Sequence, residues 1–233
     1  MGRSKVSILI QVAMDLEAEP FLRARPAKET VRCGRAVCHL LEGPGQVLLA
    51  TSAIGLVNAA SCLTWVLDSA ASALGAQAPT TAIAAGTCGG LGKNIQVRDV
   101  VAGRAYRYAD ADATAFGYKV GQLPSEPEFF EGEPNLLRRL EGREGVHVGE
   151  VVSGNSFVAA EQTPHMREIF PDALAADMES TALAQVAAAR GISFVSVRGV
   201  SDLCGPQAGQ DFHIDAAEAA EISATTVLGL LQS

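Results

Sequence analysis

The sequence predicts an α/β protein, one domain built around a mostly parallel sheet. Three observations carry this. Short runs rich in β-forming residues alternate with longer stretches of helical periodicity along the chain. The first run, Val6–Val12, reads as a continuous, mainly apolar run with only Ser7 and Gln11 polar, as in a strand buried on both faces. No repeat, low-complexity tract or linker divides the 233 residues, a length that suits one large domain (1–233) and buries enough surface to fold without staples.

The elements follow in order. Asp15–Arg25 reads as a helix after the first strand. Ala36–Leu41 and Val47–Thr51 are strands, joined by the turn signal Glu42-Gly43-Pro44-Gly45. Leu56–Leu74 is a long Ala-rich helical stretch. Thr81–Ala85 and Val97–Tyr106 are strands. From Ala109 to Pro134 the chain is polar, rich in Gly and Pro and without clear periodicity, and a loop of that length is usually functional or covered by a partner. Then come a helix at Asn135–Glu141, a strand at His147–Ser153, a helix at Thr163–Phe170, a short strand at Ala173–Asp177 and a helix at Glu179–Arg190. A buried strand at Ile192–Gly199 and a last helix at Asp215–Leu231 complete the pattern. In such sheets ligands bind beyond the carboxyl ends of the strands.

Composition narrows the function. With 48% hydrophobic and 19% charged residues the chain is globular. A net charge of −8 argues against nucleic acid and anionic membranes as partners. The five cysteines, Cys33, Cys38, Cys62, Cys88 and Cys204, are odd in number and form no C-x-x-C pair. That speaks against a disulfide framework or structural zinc and for a reducing cytoplasm. Arg3 and Lys5 precede an apolar run, but acidic Asp15, Glu17 and Glu19 follow instead of a cleavage site, so the run reads as a strand. The longest apolar stretch is interrupted by Asp68, and no membrane span is expected.

Gly86-Thr87-Cys88-Gly89-Gly90-Leu91-Gly92-Lys93 invites a phosphate-loop reading and fails it. Five residues separate Gly86 from Gly92 where four are needed, and Asn94 stands in place of the magnesium-binding hydroxyl. The dinucleotide fingerprint fails at Ile95. What remains is a tight turn after a strand, or a backbone that closely approaches a ligand. Glu17, the Asp177-Met178-Glu179 run and Ser201-Asp202 each follow a strand. Taken singly they fit helix-dipole or capping roles; together they place three acidic groups at one rim. The histidines, His39, His147, His165 and His213, show no ligand spacing, so no metal site is expected. Cys88 sits in the Gly-rich segment without a patterned histidine partner, a weak basis for a nucleophile.

At this point the chain resembles the 5′-methylthioadenosine/S-adenosylhomocysteine nucleosidases of the nucleoside phosphorylase-like superfamily. The matching segments are Ala13-Met14-x-x-Glu17, Ile54-Gly55-x-Val57-Asn58-Ala59-Ala60, Gly86-x-x-Gly89-Gly90 and Arg98-Asp99-Val100-Val101. They continue with the Asp-rich segment Tyr108–Tyr118, Gly121-Gln122-Leu123-Pro124, Ser153-Gly154-x-x-Phe157, Asp177-Met178-Glu179 and Arg198-Gly199-Val200-Ser201-Asp202. The resemblance implies a three-layer α/β/α sandwich around a mixed, mostly parallel sheet. It implies hydrolysis of the N-glycosidic bond of 5′-thioadenosines, without cofactor or metal, by a homodimer whose loop 109–130 completes the partner's site.

It also implies roles. Asp202 would protonate adenine N7, and Glu17 would orient and deprotonate the attacking water. Glu179 would accept from both ribose hydroxyls, with Met178 against the sugar. Phe157 would stack on the purine, and the backbone of Val158 would read its edge. Thr87, Cys88 and Gly89 would line the substrate site. Arg198 and Ser201 would hold Asp202, Arg198 through the backbone or Ser201 and not by direct pairing. Met14, Ile54 and Phe212 would line the 5′-thio pocket, with Phe116 and Pro124 reaching in from the other subunit. The sequence departs from the family pattern at Asn155, Leu56, Thr87-Cys88 and Asp177, which leaves the preferred 5′-group open. Aminodeoxyfutalosine or futalosine hydrolysis is an alternative. A phosphorylase of the same fold is disfavoured by the acidic Glu17 turn, and a non-catalytic binding module by the presence of all three acids.

Overall fold

The computed structural model describes residues 7–206 and 208–232, with side chains for all of these but 211–214. A ten-stranded sheet forms its middle layer. Strand β1 (Ser7–Val12) lies between β4 (Gln46–Thr51) and β5 (Thr81–Gly90), parallel to both. Beyond β4, the antiparallel strands β3 (Ala36–Leu41) and β2 (Ala27–Cys33) run to the edge. On the other side β5 pairs with β10 (Ser193–Asp202) in parallel, and its last residues pair antiparallel with β9 (Ala173–Asp177). Strands β6 (Val100–Tyr108) and β8 (Val146–Ser153) link β10 back to β9, so β5, β10, β6, β8 and β9 close into a ring. The two-residue β7 (Phe130–Glu131) pairs with β6. The sheet is mixed, as expected. Its antiparallel share comes from the β2–β3–β4 meander, from the short β6–β7 pairing, and from the two pairings, β10–β6 and β5–β9, that help close the ring.

Strand alternation explains the three layers. Leu9, Leu48, Ala82 and Ala84 face one side, Ile10, Leu49, Ile83 and Ala85 the other. The first set packs on α2 (Leu56–Trp65) and α6 (Ser180–Arg190) through Ala59, Cys62, Leu63, Leu183, Ala184 and Ala187. The second set packs on α1 (Asp15–Ala24) and the C-terminal helix through Ala18, Phe21, Ala224, Val227 and Leu230. Small alanines on the helices let them lie close to a sheet of branched residues. The π-helical turn Val66–Ala70 carries α2 into the one-turn α3 (Ala71–Ala73), where the sequence predicts one regular helix. The remaining helices are α4 (Pro134–Leu140), α5 (Thr163–Ile169) and α7 (Ala208–Leu231).

Several expectations need correction. Strand β2 is absent from the sequence reading because Ala27–Cys33 is an exposed edge, with Lys28, Glu29 and Arg32 where a buried strand would show apolar alternation. The Gly86–Gly90 segment is the second half of β5 and not a turn, since its backbone pairs with β10 and β9. Ser201-Asp202 ends β10 beyond a bulge and does not follow the strand. Helix α7 begins at Ala208, before the expected Asp215.

Candidate active site

The strand ends meet at one cavity of about 330 Å³. Its lining includes Met14, Glu17, Ile54, Thr87, Cys88, Gly89, Phe157, Val158, Met178, Glu179, Ser201 and Asp202, so most of the expected residues come together. Three do not join them. Arg198 is fully buried beside the cavity without lining it. Phe116 (82% exposed) and Pro124 lie on the outer surface of their own chain, away from the cavity lining. The side chain of Phe212 lies outside the described residues.

Glu17 sits in the first turn of α1, where a carboxylate suits the helix dipole. Its Oε2 accepts from the backbone N–H groups of Ala13 (2.9 Å) and Met14 (3.1 Å). Its Oε1 accepts from the Thr87 N–H (2.8 Å) and the Thr87 hydroxyl (3.0 Å). The carboxylate can lie on β5 because Gly86, at φ +121°, has no side chain; a Cβ there would stand 2.4 Å from Oε1. The capping role and the position in the cavity are therefore one arrangement.

Asp202 ends β10. Its Oδ2 accepts from the Ser201 hydroxyl (3.0 Å) and its Oδ1 from the Cys204 N–H (2.9 Å). Gly89 leaves room for this corner, since a Cβ would meet the Cys204 sulfur at 2.5 Å and Asp202 Oδ1 at 3.2 Å. Glu179, the residue before α6, accepts from the Gly55 N–H (2.9 Å) through Oε1 and from Arg198 (3.3 Å) through Oε2. Burial pushes its pKa up to about 7; Arg198 works against the rise, while Asp177 and Glu17 add to it.

Arg198 does not pair with Asp202 directly, as expected, and its side chain serves other groups. It forms an ion pair with Asp177 (Nε to Oδ2, 3.1 Å) and donates to Glu179 (3.3 Å), the Ser180 hydroxyl (3.3 Å) and the Ala85 carbonyl (3.2 Å). A bulge between Val200 and Asp202 breaks the alternation along β10, so the two side chains, four residues apart, are set differently. Ser201 does meet Asp202. Asp177 is the residue whose importance sequence reasoning missed; its only sequence signal was the spacing Asp177-x-Glu179 after a strand. Cys88 is fully buried, and burial raises its thiol well above the usual range, opposite to what a nucleophile needs.

The walls carry the apolar side chains Met14, Ile54, Phe157 and Met178 around four carboxyl groups, Glu17, Asp177, Glu179 and Asp202. Among the described residues, the lining contains no Lys, Arg or His. Such a site can take a neutral ligand with an apolar arm, accept from its hydroxyls and exchange protons at two separate places.

These features fit what comparison with known proteins shows. The family model described as the phosphorylase superfamily matches residues 7–232. A curated 5′-methylthioadenosine/S-adenosylhomocysteine nucleosidase from Listeria monocytogenes is 34% identical over 232 residues, covering 95% of this chain and 97% of the relative. The Neisseria meningitidis nucleosidase of the same name, solved with methylthio-immucillin-A, superposes with a TM-score of 0.88 at 33% identity, covering 97% and 98% of the two chains. The Streptococcus pneumoniae enzyme, solved with a transition-state inhibitor, gives 0.90 at 27% identity over 97% and 99%. The chain belongs to the phosphorylase superfamily and, within it, to the 5′-methylthioadenosine/S-adenosylhomocysteine nucleosidase family.

Proposed function

We propose that the protein hydrolyses the N-glycosidic bond of 5′-methylthioadenosine, S-adenosylhomocysteine or both, releasing adenine and the 5′-thioribose. The observation that carries this is the convergence of Glu17, Glu179 and Asp202, from three separate strand ends, on one apolar cavity. As the bond from C1′ to N9 breaks, positive charge builds on the sugar and negative charge on the purine. Asp202 gives its proton to N7, so adenine leaves neutral. Glu17 takes a proton from water as the water oxygen bonds to C1′. Glu179 accepts from the two ribose hydroxyls, and its charge favours the cationic sugar. Phe157 lies against the purine, and the backbone of Val158 meets the base edge. Met178 lies against the sugar, and Met14 and Ile54 provide the apolar pocket for the 5′-thio group, with Phe212 assigned there from the family pattern.

A phosphorylase would need cationic or N–H donors for phosphate. In this cavity the N–H groups of Ala13, Met14 and Thr87 are already taken by Glu17, which favours water as the nucleophile. Homodimerisation is part of the reading. Phe116 and Val57 are large apolar groups exposed on one subunit, and loop 109–130 would bring Phe116 and Pro124 to the partner's 5′-pocket. The five cysteines are all unpaired, which supports a reducing, cytoplasmic setting. No helix among the described residues is long and apolar enough to cross a membrane.

The test is adenine release from methylthioadenosine, adenosylhomocysteine and aminodeoxyfutalosine, each with and without phosphate. Phosphate-independent release from either thioadenosine is expected. Release that requires phosphate, or that occurs only with the futalosine-type substrate, would replace this reading.

A further inference from the structure

At the cavity wall lies a charge cluster of which the proposed chemistry uses only Glu179. Arg198, on β10, contacts two buried acids, Asp177 at the end of β9 and Glu179 before α6. The acids are not equivalent. Asp177 Oδ1 accepts from the Ser153 hydroxyl (2.5 Å), the Ser180 N–H (3.1 Å) and the Glu179 N–H (3.3 Å). Its Oδ2 accepts from the Ser180 hydroxyl and faces Arg198 Nε. Ser153 is held in turn by the N–H and hydroxyl of Thr181, both at 2.9 Å. Asp177 thus organises the first turn of α6, including the peptide that carries Glu179.

Glu179 has fewer supports. Around it stand Arg198 from β10, Asp177 from β9, Glu17 from α1 and the Gly55 N–H at the start of α2. Three acids share one cation in a dry place, so ionising all three leaves excess negative charge there. Asp177 and Glu17 each accept four or more donors, counting the ion pair. Glu179 accepts two, and it is the member that yields.

We propose that Asp177 is a positioning residue for the sugar site: it fixes the peptide and the guanidinium on which Glu179 rests, and so governs when Glu179 is ionised and able to accept from both ribose hydroxyls. This role rests on the reading that Glu179 meets the ribose. It deepens that reading by making nucleoside capture depend on pH through a residue that need not touch the substrate.

The sign follows from charge. Replacing Asp177 by Asn removes a neighbouring negative charge and frees Arg198 for Glu179; both changes favour ionised Glu179. The acid limb of kcat/KM, which reports groups of the free enzyme, should move to lower pH by about one unit or more, the usual effect of a nearby charge. A residue that merely supported α6 would lower activity at every pH and leave the limb in place. The experiment has two arms, run on wild type, Asp177→Asn and the charge-conserving Asp177→Glu. One is the pH profile of adenine release. The other is a ¹³C NMR titration of glutamate carboxyls, with the Glu179 signal identified by its loss in Glu179→Gln. A Glu179 titration that moves acidward in Asp177→Asn, together with the kinetic limb, and returns in Asp177→Glu is the expected result. An unmoved titration or limb overturns the role. If Asp177→Asn does not fold, Asp177→Ser, which also removes the charge, decides by the same titration: an acidward shift of Glu179 supports the role and an unmoved titration overturns it. Absence of adenine release by wild type would overturn the functional reading, while the carboxyl titration, which needs no turnover, still supports or overturns the control of Glu179 by Asp177.

Discussion

Replacing Asp202 by Asn asks whether the chemistry depends on a proton held at the end of β10. The change is nearly isosteric. The side-chain oxygen of Asn can still accept from the Cys204 N–H, and the Ser201 hydroxyl can turn to accept from the new amide. Losing one rearranged hydrogen bond costs about 1 kcal/mol of stability, so the fold should persist with a small drop in melting temperature. The catalytic loss should be larger. An amide cannot deliver a proton to N7, and general acid catalysis is worth about 10²–10⁴ in rate, or roughly 3–5 kcal/mol of activation free energy. The assay is kcat for adenine release from methylthioadenosine, paired with calorimetric binding of an unreactive nucleoside analogue, whose affinity should fall far less than kcat. A folded Asn variant that keeps more than about a tenth of the wild-type kcat would refute the assignment of Asp202 as the acid.

Other outcomes are expected on the same footing. Glu17→Gln should fold and assemble as wild type but lose hydrolysis, because its amide cannot take the proton of water; near-normal phosphate-independent turnover would contradict this. Gly86→Ala should lose activity, and much stability, because its Cβ meets Glu17 at φ +121°; a variant with native melting temperature and rate would show that β5 yields there. Glu179 has a folded pKa raised to about 7 by burial, so from about pH 4 to 7 the folded state holds a proton that the unfolded chain has released. This contribution to stability therefore falls as pH rises through that window, and thermal melts should show the fall flattened in Glu179→Gln. Static light scattering at micromolar concentration should give a dimer, and an active monomer would remove loop 109–130 from the site.

The sheet was legible because strands such as Val6–Val12 and Val47–Thr51 are short, mainly apolar runs set between helical patterns, as strands buried on both faces must be. Edge strand β2 was hidden because its exposed side chains carry no burial signal. The acids at the cavity could be found as residues following strands, and the family pattern supplied their roles. Neither showed that Arg198 serves Asp177 and Glu179. That depends on which way β10 faces beneath the cavity and on the turn of α6, facts of tertiary packing that spacing does not encode. The Gly86–Gly90 segment misled for a similar reason. Its glycines answer to Glu17, Cys204 and Leu203 from distant parts of the chain, whereas local reading can see only their freedom to turn.

The closed ring has a consequence for how the molecule is made. Strand β5 is only completed by β10, and paired residues such as Thr81 and Ser193 are 112 positions apart (193 minus 81). Until β10 leaves the ribosome, β5 has an unpaired flank, and neither Arg198 nor Asp202 exists to meet Glu17. Helix α7, which packs on both strands through residues such as Ala219 and Ala224, comes later still. Contacts this distant in sequence form slowly. The chain must therefore pass through its synthesis with an open strand edge, and a product shortened before about residue 202 would lack the site altogether. Catalytic competence should appear abruptly, near the end of translation, and not accumulate as the protein grows.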